Sequence, residues 1–370
     1  MKMKKQLLLL SLVFFVCSLN TNAQEKVLEK AKKDLIETSK FGGFVIGRAA
    51  FNDRDLSTSN KNHSNFDLRL VRAYVDGKVL NFAYKLQVEY EGYGGVSEKG
   101  PHIVDAWGEW QKFKFFRVKV GQFKRCFTFE NPMNPWDISW GGYSQLADKL
   151  AGMNDRIGEH SSGGRDGGIQ IQGDLFPARK DGHPFLHYQV GVYNGQGINH
   201  NDVNNHKDLI GQIAINPIKD LSVAFFGWSG RYTSNSNSLI TVDRNRMAVG
   251  LKYTGPVKFR AEYGVSEGHK TSDYNADGTL KNGTSDGADA WYAMASVPVN
   301  KNKNWFVQAK WDVYRDGKAW NNSKSIYALG SEYYFTKNFK LQANYSYNYD
   351  KSTAMDKHYN AFDLQLYWRW

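Results

Sequence analysis

Cysteine is almost missing from this chain of 370 residues, which has only Cys17 and Cys126. Cys17 falls in the leader described below, so the mature chain has no partner for a disulfide with Cys126. Stability in an oxidising compartment must then come from a large core or a closed sheet. Long apolar runs are missing too. Beyond Leu19 no uninterrupted apolar stretch approaches the roughly 18 residues of a spanning helix, and the mean hydropathy of −0.58 excludes a helical membrane protein. The nucleophile pattern GxSxG is absent, with Gly227-Trp228-Ser229-Gly230 only approximating it, and His187 has no serine partner evident in sequence. No GK[ST] follows the glycine pairs Gly163-Gly164 and Gly167-Gly168, which read as hinges rather than a phosphate loop. No catalytic residues, cofactor or nucleic-acid partner are expected.

Aromatic residues, by contrast, make up 15% of the chain. Membrane barrels concentrate Tyr, Trp and Phe in two interfacial girdles, where an amphipathic ring is best placed. The segment from Phe362 to Trp370 sets Phe362, Leu364, Leu366, Trp368 and Trp370 on one parity and Asp363, Gln365 and Arg369 on the other. Such a strand has an apolar face for lipid and a wet face for a water-filled lumen. As the aromatic C-terminal strand, it is also the expected signal to the barrel-assembly machinery.

The other end of the chain indicates the compartment. Met1 to Lys5 carries three lysines, Gln6 to Leu19 is apolar, and Thr21-Asn22-Ala23 offers a small-residue cleavage site before Gln24. Residues 1–23 read as a secretory signal peptide. Phe15 and Val16 are too bulky for a lipid-attachment site at Cys17. Loss of the three signal lysines lowers the formal net charge from +11 to +8. A basic exported protein implies anionic partners, either lipopolysaccharide phosphates and outer-membrane lipid or anionic solutes. Residues 24–40, with Val27, Leu28, Ala31, Leu35 and Ile36 at helical spacing, read as a periplasmic lead-in, helical or simply charge-rich. Residues 41–370 read as one transmembrane domain.

Alternation along that domain predicts an all-β, antiparallel transmembrane barrel of about sixteen strands. Leu80, Phe82, Tyr84, Leu86, Val88 and Tyr90 alternate with Asn81, Ala83, Lys85, Gln87 and Glu89; Phe339 to Tyr349, Val257 to Val265 and Trp305 to Val313 behave in the same way. The connections alternate between tight turns and long polar loops. Tight turns are expected at Asp76-Gly77-Lys78, Gln111-Lys112, Pro217 to Asp220, Thr254-Gly255-Pro256, Asn300 to Asn304 and Thr336-Lys337-Asn338, with a longer one at 175–184. Long loops are expected near 51–64, 92–100, 122–165, 194–206, 230–242, 267–287, 315–323 and 350–356. Short periplasmic turns and long external loops are the asymmetry of outer-membrane barrels, and a soluble sandwich has no reason for it.

The longest loop, Gly121 to Arg165, is too rich in aromatic and apolar residues for disorder, so it is expected to fold into the lumen and narrow it. Lys124, Arg125, Arg156 and Arg165 are its candidate constriction cations. Parity places Lys85, Arg117, Lys119, Arg244, Arg246, Lys252, Lys258, Arg260, Lys310, Lys340 and Arg369 toward the lumen, against Glu89, Asp105, Glu109, Asp174, Glu262, Asp312 and Asp363. This modest basic excess suits a pore that prefers anions, unless the pairs neutralise one another across the wall. Asp273, Asn275, Asp277 and Gly278 imitate the start of a calcium loop, but Thr284 stands where a bidentate glutamate is required. The Asn, Asp and His cluster at 199–208 reads as turn chemistry, and no metal site is expected.

Several motifs in order resemble the phosphate-selective porin O and P family: YVDGKVLNFAYKLQVEY at 74–90, GQFKR with FTFENP and PWD at 121–137, KLAGMNDR at 149–156, GGRDGG at 163–168, and VYNGQGIN with DVNNHKDLIG at 192–211. The chain departs from the pattern at Cys126 and at Gly167. The resemblance implies a sixteen-stranded, trimeric outer-membrane porin whose third external loop folds inward and whose basic residues line an anion path. Phosphate preference, a general or oligosaccharide-conducting pore, and a sealed adhesive barrel are the functional readings carried forward.

Overall fold

The computed structural model describes residues 21–54, 63–90, 101–159, 163–178, 180–353 and 357–370. The expected leader up to Asn20, Cys17 within it, and the loop tips at 55–62 and 91–100 lie outside the described residues. Sixteen strands close into one antiparallel barrel. They are β1 Lys40–Asn52, β2 His63–Val79, β3 Phe82–Tyr90, β4 His102–Trp110, β5 Arg117–Lys124, β6 Arg165–Pro177, β7 Pro184–Tyr193, β8 Asp208–Ile218, β9 Leu221–Thr233, β10 Thr241–Tyr253, β11 Lys258–Glu267, β12 Gly287–Pro298, β13 Trp305–Asp316, β14 Ser323–Thr336, β15 Phe339–Asp350 and β16 His358–Arg369. Each pairs with its sequence neighbours, and β1 closes the ring on β16 from Phe44–Arg369 to Asn52–Ala361.

The alternation that predicts the barrel also sets which side chains face inward. Along β10, Val242, Arg244, Arg246 and Ala248 are buried while Asn245, Met247 and Val249 are exposed, Met247 at 71%. Arginine inside and methionine outside is the reverse of a water-soluble protein, and it is stable where the outside is hydrocarbon. In β16, Phe362, Leu364, Leu366 and Trp368 are likewise exposed, and Gln365 and Tyr367 buried.

The long connections fall where expected, from β1–β2 through β15–β16 at every second junction. One tight turn is displaced. Asp76-Gly77-Lys78 lies within β2, and the chain reverses at Leu80-Asn81, with Leu80 at φ 55°. The reason is a helix, α1 Thr21–Thr38, docked on this hairpin. Thr38 Oγ1 donates to the Lys78 carbonyl at 2.6 Å and accepts its N–H at 2.8 Å. Asp34 accepts the Leu80 N–H at 2.8 Å, so the strand is extended two residues past the glycine. The lead-in is therefore helical, and the helix starts at Thr21, ahead of the expected cleavage point.

The connection between β5 and β6, residues 125–164 and here called L3, packs against side chains of the buried parity. Its short helix α2, Gln145–Leu150, is capped by Ser144 Oγ, which accepts the Ala147 N–H at 3.2 Å. Phe127, Phe129, Leu146 and Leu150 pack with Phe226, Trp228, Ala248, Tyr292 and Met294 on β9 to β12. Trp136 packs with Phe44, Ile46, Leu70 and Tyr367, and Ile138 and Trp140 with Ala328. Each such fully buried large side chain contributes about 1.5–3 kcal/mol. Gly164 closes the loop at φ +73°, where an added Cβ would stand 1.7 Å from Asn131 Oδ1.

Candidate functional site

Polar contacts fix L3 to the wall in addition to its apolar clusters. Glu262 accepts the Phe129 N–H at 2.6 Å, Asp312 the Gln145 N–H at 3.1 Å, and the Trp136 carbonyl accepts Lys340 Nζ at 2.6 Å. Gln342 and Gln365 donate to the carbonyls of Ser139 and Gly141 at 2.8 and 2.9 Å.

Most of the candidate cations belong to this anchoring. Arg125 is fully buried, donating to Glu159 at 2.8 Å and Asp166 at 3.2 Å. Arg244 binds the same Glu159 and reaches Asp208 at 2.5 Å, and Arg246 forms a bidentate pair with Asp155 at 2.6 Å. The three guanidiniums surround one indole, at 4.9, 4.6 and 4.7 Å from the Trp228 ring. Arg156 donates to the Gly268 carbonyl at 2.7 Å and lies 3.6 Å from Asp316. Arg260 pairs with Glu130 at 2.8 Å and Lys310 with Asp312 at 3.0 Å. Burial of charge on this scale is tolerated because each cation has an anion and each anion further donors.

The opposite arc of the barrel is open. A cavity of about 200 Å³ lies between Pro132, Met133 and Asn134 of L3 and wall residues of β2 to β7. Five cations line it, Arg72, Lys85, Lys119, Lys124 and Arg165, against one carboxylate, Asp105. Arg165 forms a fork with Asp105 at 3.0 and 3.1 Å, Arg72 is paired to Glu89, and Lys119 lies 3.2 Å from Glu109. Arg117, just beyond the lining, pairs with Asp174 at 2.9 Å.

Lys85 and Lys124 differ from these, forming no ion pair with a described carboxylate. Lys85 Nζ rests 4.8 Å over the Tyr74 ring. Lys124 Nζ donates to three neutral acceptors, the carbonyls of Asn131 and Met133 at 2.7 Å and the Tyr143 hydroxyl at 2.8 Å. Burial, countered only in part by Arg72 and Arg165, pushes the Tyr143 phenol up to about 12, so it stays protonated and donates onward to the Met133 carbonyl at 3.1 Å.

Toward the short turns, a second cavity of about 200 Å³ carries Lys252, Lys258 and Arg260 with Asp137. Toward the long loops, one of about 520 Å³ mixes Lys149, Arg156, Lys270 and Lys324 with Asp148, Asp155, Asp316 and Asp350. The lining thus goes from balanced at the loop end to basic at the middle and the turn end.

Sequence reasoning missed Arg72 and a chain of amides on the open arc. Gln170 donates to Gln172 at 2.8 Å, Gln172 to Glu109 at 3.0 Å, Gln189 to Gln172 at 2.6 Å and Gln212 to Gln189 at 3.0 Å. Glutamine at alternate positions of successive strands was the available signal. The acidic and amide segments at 199–208 and 273–278 are engaged in turns: Asp202 accepts the N–H groups of Asn204 and Asn205 at 3.0 Å, and Asp277 that of Thr279 at 2.9 Å. Among the described residues no three His, Cys, Asp or Glu side chains are grouped to hold a metal.

No curated protein matches the sequence. Residues 47–220 match the family described as phosphate-selective porin O and P. The fold is similar to that of an anion-selective porin from Comamonas acidovorans, at 14% identity and a TM-score of 0.66, over 90% of this chain and 99% of that one. It is also similar to Salmonella typhi OmpF in complex with daunomycin (13% identity, TM-score 0.63, 90% and 97% covered) and to Pseudomonas putida OprB (8%, 0.60, 92% and 96%). Family and barrel together point to a channel rather than an enzyme. The resemblance read from the motifs is borne out over residues 47–220, which match the phosphate-selective porin O and P family, and the sixteen-stranded fold is that of outer-membrane porins.

Proposed function

We propose that the barrel conducts small hydrophilic solutes passively, with a preference for anions such as phosphate. The observation that carries this reading is the lining of the cavity on the open arc: five cations against Asp105, with no carboxylate from the facing L3 segment. A paired arginine presents a dipole whose field falls off quickly, whereas an unpaired ammonium acts as a full charge. At an effective dielectric of about 20, an anion 5 Å from one such group gains roughly 3 kcal/mol, against less than 1 in bulk water. Lys85 and Lys124 are thus assigned the charge preference, and Lys119, Arg117 and Arg165 its support. Arg125, Arg156, Arg244, Arg246, Arg260 and Lys310 hold the loop that sets the free cross-section. Transport is electrodiffusion, without turnover.

The name of the anion-selective Comamonas acidovorans porin supports the sign of the preference, and the trimer form named for Vibrio cholerae OmpT supports a homotrimer. In the same reading, residues 1–23 are an export signal, the surface contacts lipopolysaccharide, and β16 is recognised by the assembly machinery. A saccharide-conducting pore is the second reading, favoured by the chain of glutamine amides from Gln170 to Gln212 beside Trp107. The reversal potential in planar bilayers under a KCl gradient, with phosphate then added to one side, separates them. An anion-signed potential with phosphate block of chloride current supports the phosphate reading. A potential near zero with sugar block supports the second, and no conductance at all leaves a sealed barrel.

A further inference from the structure

The basic excess of the chain is concentrated at one end of the barrel. Four of the seven short turns, those joining β4 to β5, β8 to β9, β12 to β13 and β14 to β15, carry Lys112, Lys114, Lys219, Lys301, Lys303 and Lys337, all exposed, against a single acid, Asp220. None of the six forms an ion pair with a described carboxylate. The four lysines and four acids of α1, at the same end, cancel. At the loop end, by contrast, acids are interleaved with the basic residues: Arg54 is paired with Asp350, Lys207 with Asp202, Lys270 with Asp316 and Arg315 with Asp289, and the unpaired Lys281, Lys318 and Lys351 have Asp277, Asp316 and Asp350 close by in sequence.

Each of these turn lysines adjoins an outward-facing apolar anchor. Phe113 and Phe115 flank Lys114 at 40% and 54% exposure, Ile218 precedes Lys219 at 54%, Trp305 follows Lys303 at 46% and Phe335 stands before Lys337 at 53%. Rings at that position occupy the membrane–water boundary, and a lysine beside them lays its stem along the apolar surface with its ammonium at headgroup depth. Lys112 shows this arrangement directly, its Nζ 5.4 Å from the Phe113 ring centre.

We propose that this ring of turn lysines is a binding surface for anionic phospholipids of the inner leaflet, whose phosphodiesters supply the counter-charge that the protein lacks there. The proposal rests on the outer-membrane placement of the barrel and not on its ion selectivity. The apolar girdle directly above the ring must be covered by acyl chains, which makes a lipid headgroup, rather than a soluble acidic partner, the group delivered to that depth.

The test offers the detergent-purified full-length barrel equal amounts of phosphatidylglycerol and phosphatidylcholine with matched acyl chains and counts retained lipids by native mass spectrometry. Each lysine near an anionic lipid surface favours it by roughly fivefold, so the wild type is expected to retain phosphatidylglycerol at least fivefold over phosphatidylcholine, less at high salt. The variant K112Q/K114Q/K301Q/K303Q/K337Q is expected to lose that preference, and the loop variant K207Q/K281Q/K318Q/K351Q/K357Q to keep it. The changes lie in exposed turns, and heat-shifted gel mobility verifies folding. Equal retention of both lipids by the wild type overturns the proposal, and so does an undiminished preference in the turn variant. Loss in the loop variant alone overturns it as well, by moving the lipid to the other leaflet.

Discussion

Glu262, on β11, accepts the backbone N–H of Phe129, in L3, at 2.6 Å. The contact joins wall and loop between residues 133 positions apart, and the second Glu262 oxygen accepts the Tyr292 hydroxyl at 2.5 Å. Glu262→Ala strands a buried N–H and a buried hydroxyl, a loss of about 1–3 kcal/mol each. The loop is expected to fluctuate, so single-channel recordings should show a larger and noisier unitary conductance. A quiet trace of wild-type amplitude would remove L3 as the element that limits the pore.

Lys85→Gln removes one of the two unpaired ammonium groups beside the cavity and leaves the ion pairs intact. The anion-to-cation permeability ratio, taken from the reversal potential, is expected to fall several-fold, in line with a local contribution of about 1–3 kcal/mol. Lys124→Gln is expected to act in the same direction and also to destabilise the root of L3, because three acceptors lose the ammonium, and only the Met133 carbonyl keeps another donor, Tyr143.

Arg125→Met should have the opposite profile. It leaves Glu159 and Asp166 short of a buried partner, which costs about 3–5 kcal/mol, while the cavity lining is unchanged. The expected result is a lower midpoint in denaturant unfolding with an unaltered permeability ratio. A changed ratio in the folded variant would place Arg125 on the ion path instead.

Cys126 lies at the entry to L3, its Sγ 3.6 Å from the Ile210 carbonyl and 3.8 Å from the Tyr193 hydroxyl. Burial pushes the thiol up to about 12, and the thiolate is the reactive form. Maleimide is expected to leave the folded barrel unlabelled at pH 8 and to label it after denaturation. Rapid labelling of open channels would mean that the thiol meets the lumen.

Asp155 anchors the end of L3 through Arg246. Burial alone would raise its carboxyl, but the Arg246 pair outweighs burial and holds it below the usual range. A depressed carboxylate contributes stability above its unfolded pKa of about 3.9 and loses it as the pH falls through the lower folded value. The anchor is thus complete at neutral pH, and conductance is expected to change only in acid below about pH 4. In Asp155→Asn that acid step should disappear from the pH profile.

The barrel was legible because lipid outside and water inside impose a period of two on each strand, and Phe362 to Trp368 or Leu86 to Tyr90 display it without knowledge of any partner. Loop lengths gave the two ends. The displaced turn at Leu80-Asn81 was not legible, since Thr38 and Asp34, which hold it, lie some forty residues earlier. The site was half legible. Parity placed Arg244, Arg246 and Arg260 on the inner face, but whether a cation is free depends on which acids the loop brings to it. Glu159, Asp155 and Glu130 come from L3, and their pairing follows from packing around Trp228 and Tyr292 rather than from any spacing in the sequence.

L3 rests on β9 to β12 and again on β14, β16, β1 and β2, and its segment Pro132 to Asn134, with Cys126 at its root, faces β2 to β7 across open space. Foundation and filter therefore overlap only at β2 and otherwise occupy different arcs of one wall. Residues such as Lys85, Gln87, Lys119 and Gln189 are free to change, and with them the kind of solute admitted, while the half of the barrel that holds the loop in place remains as it is.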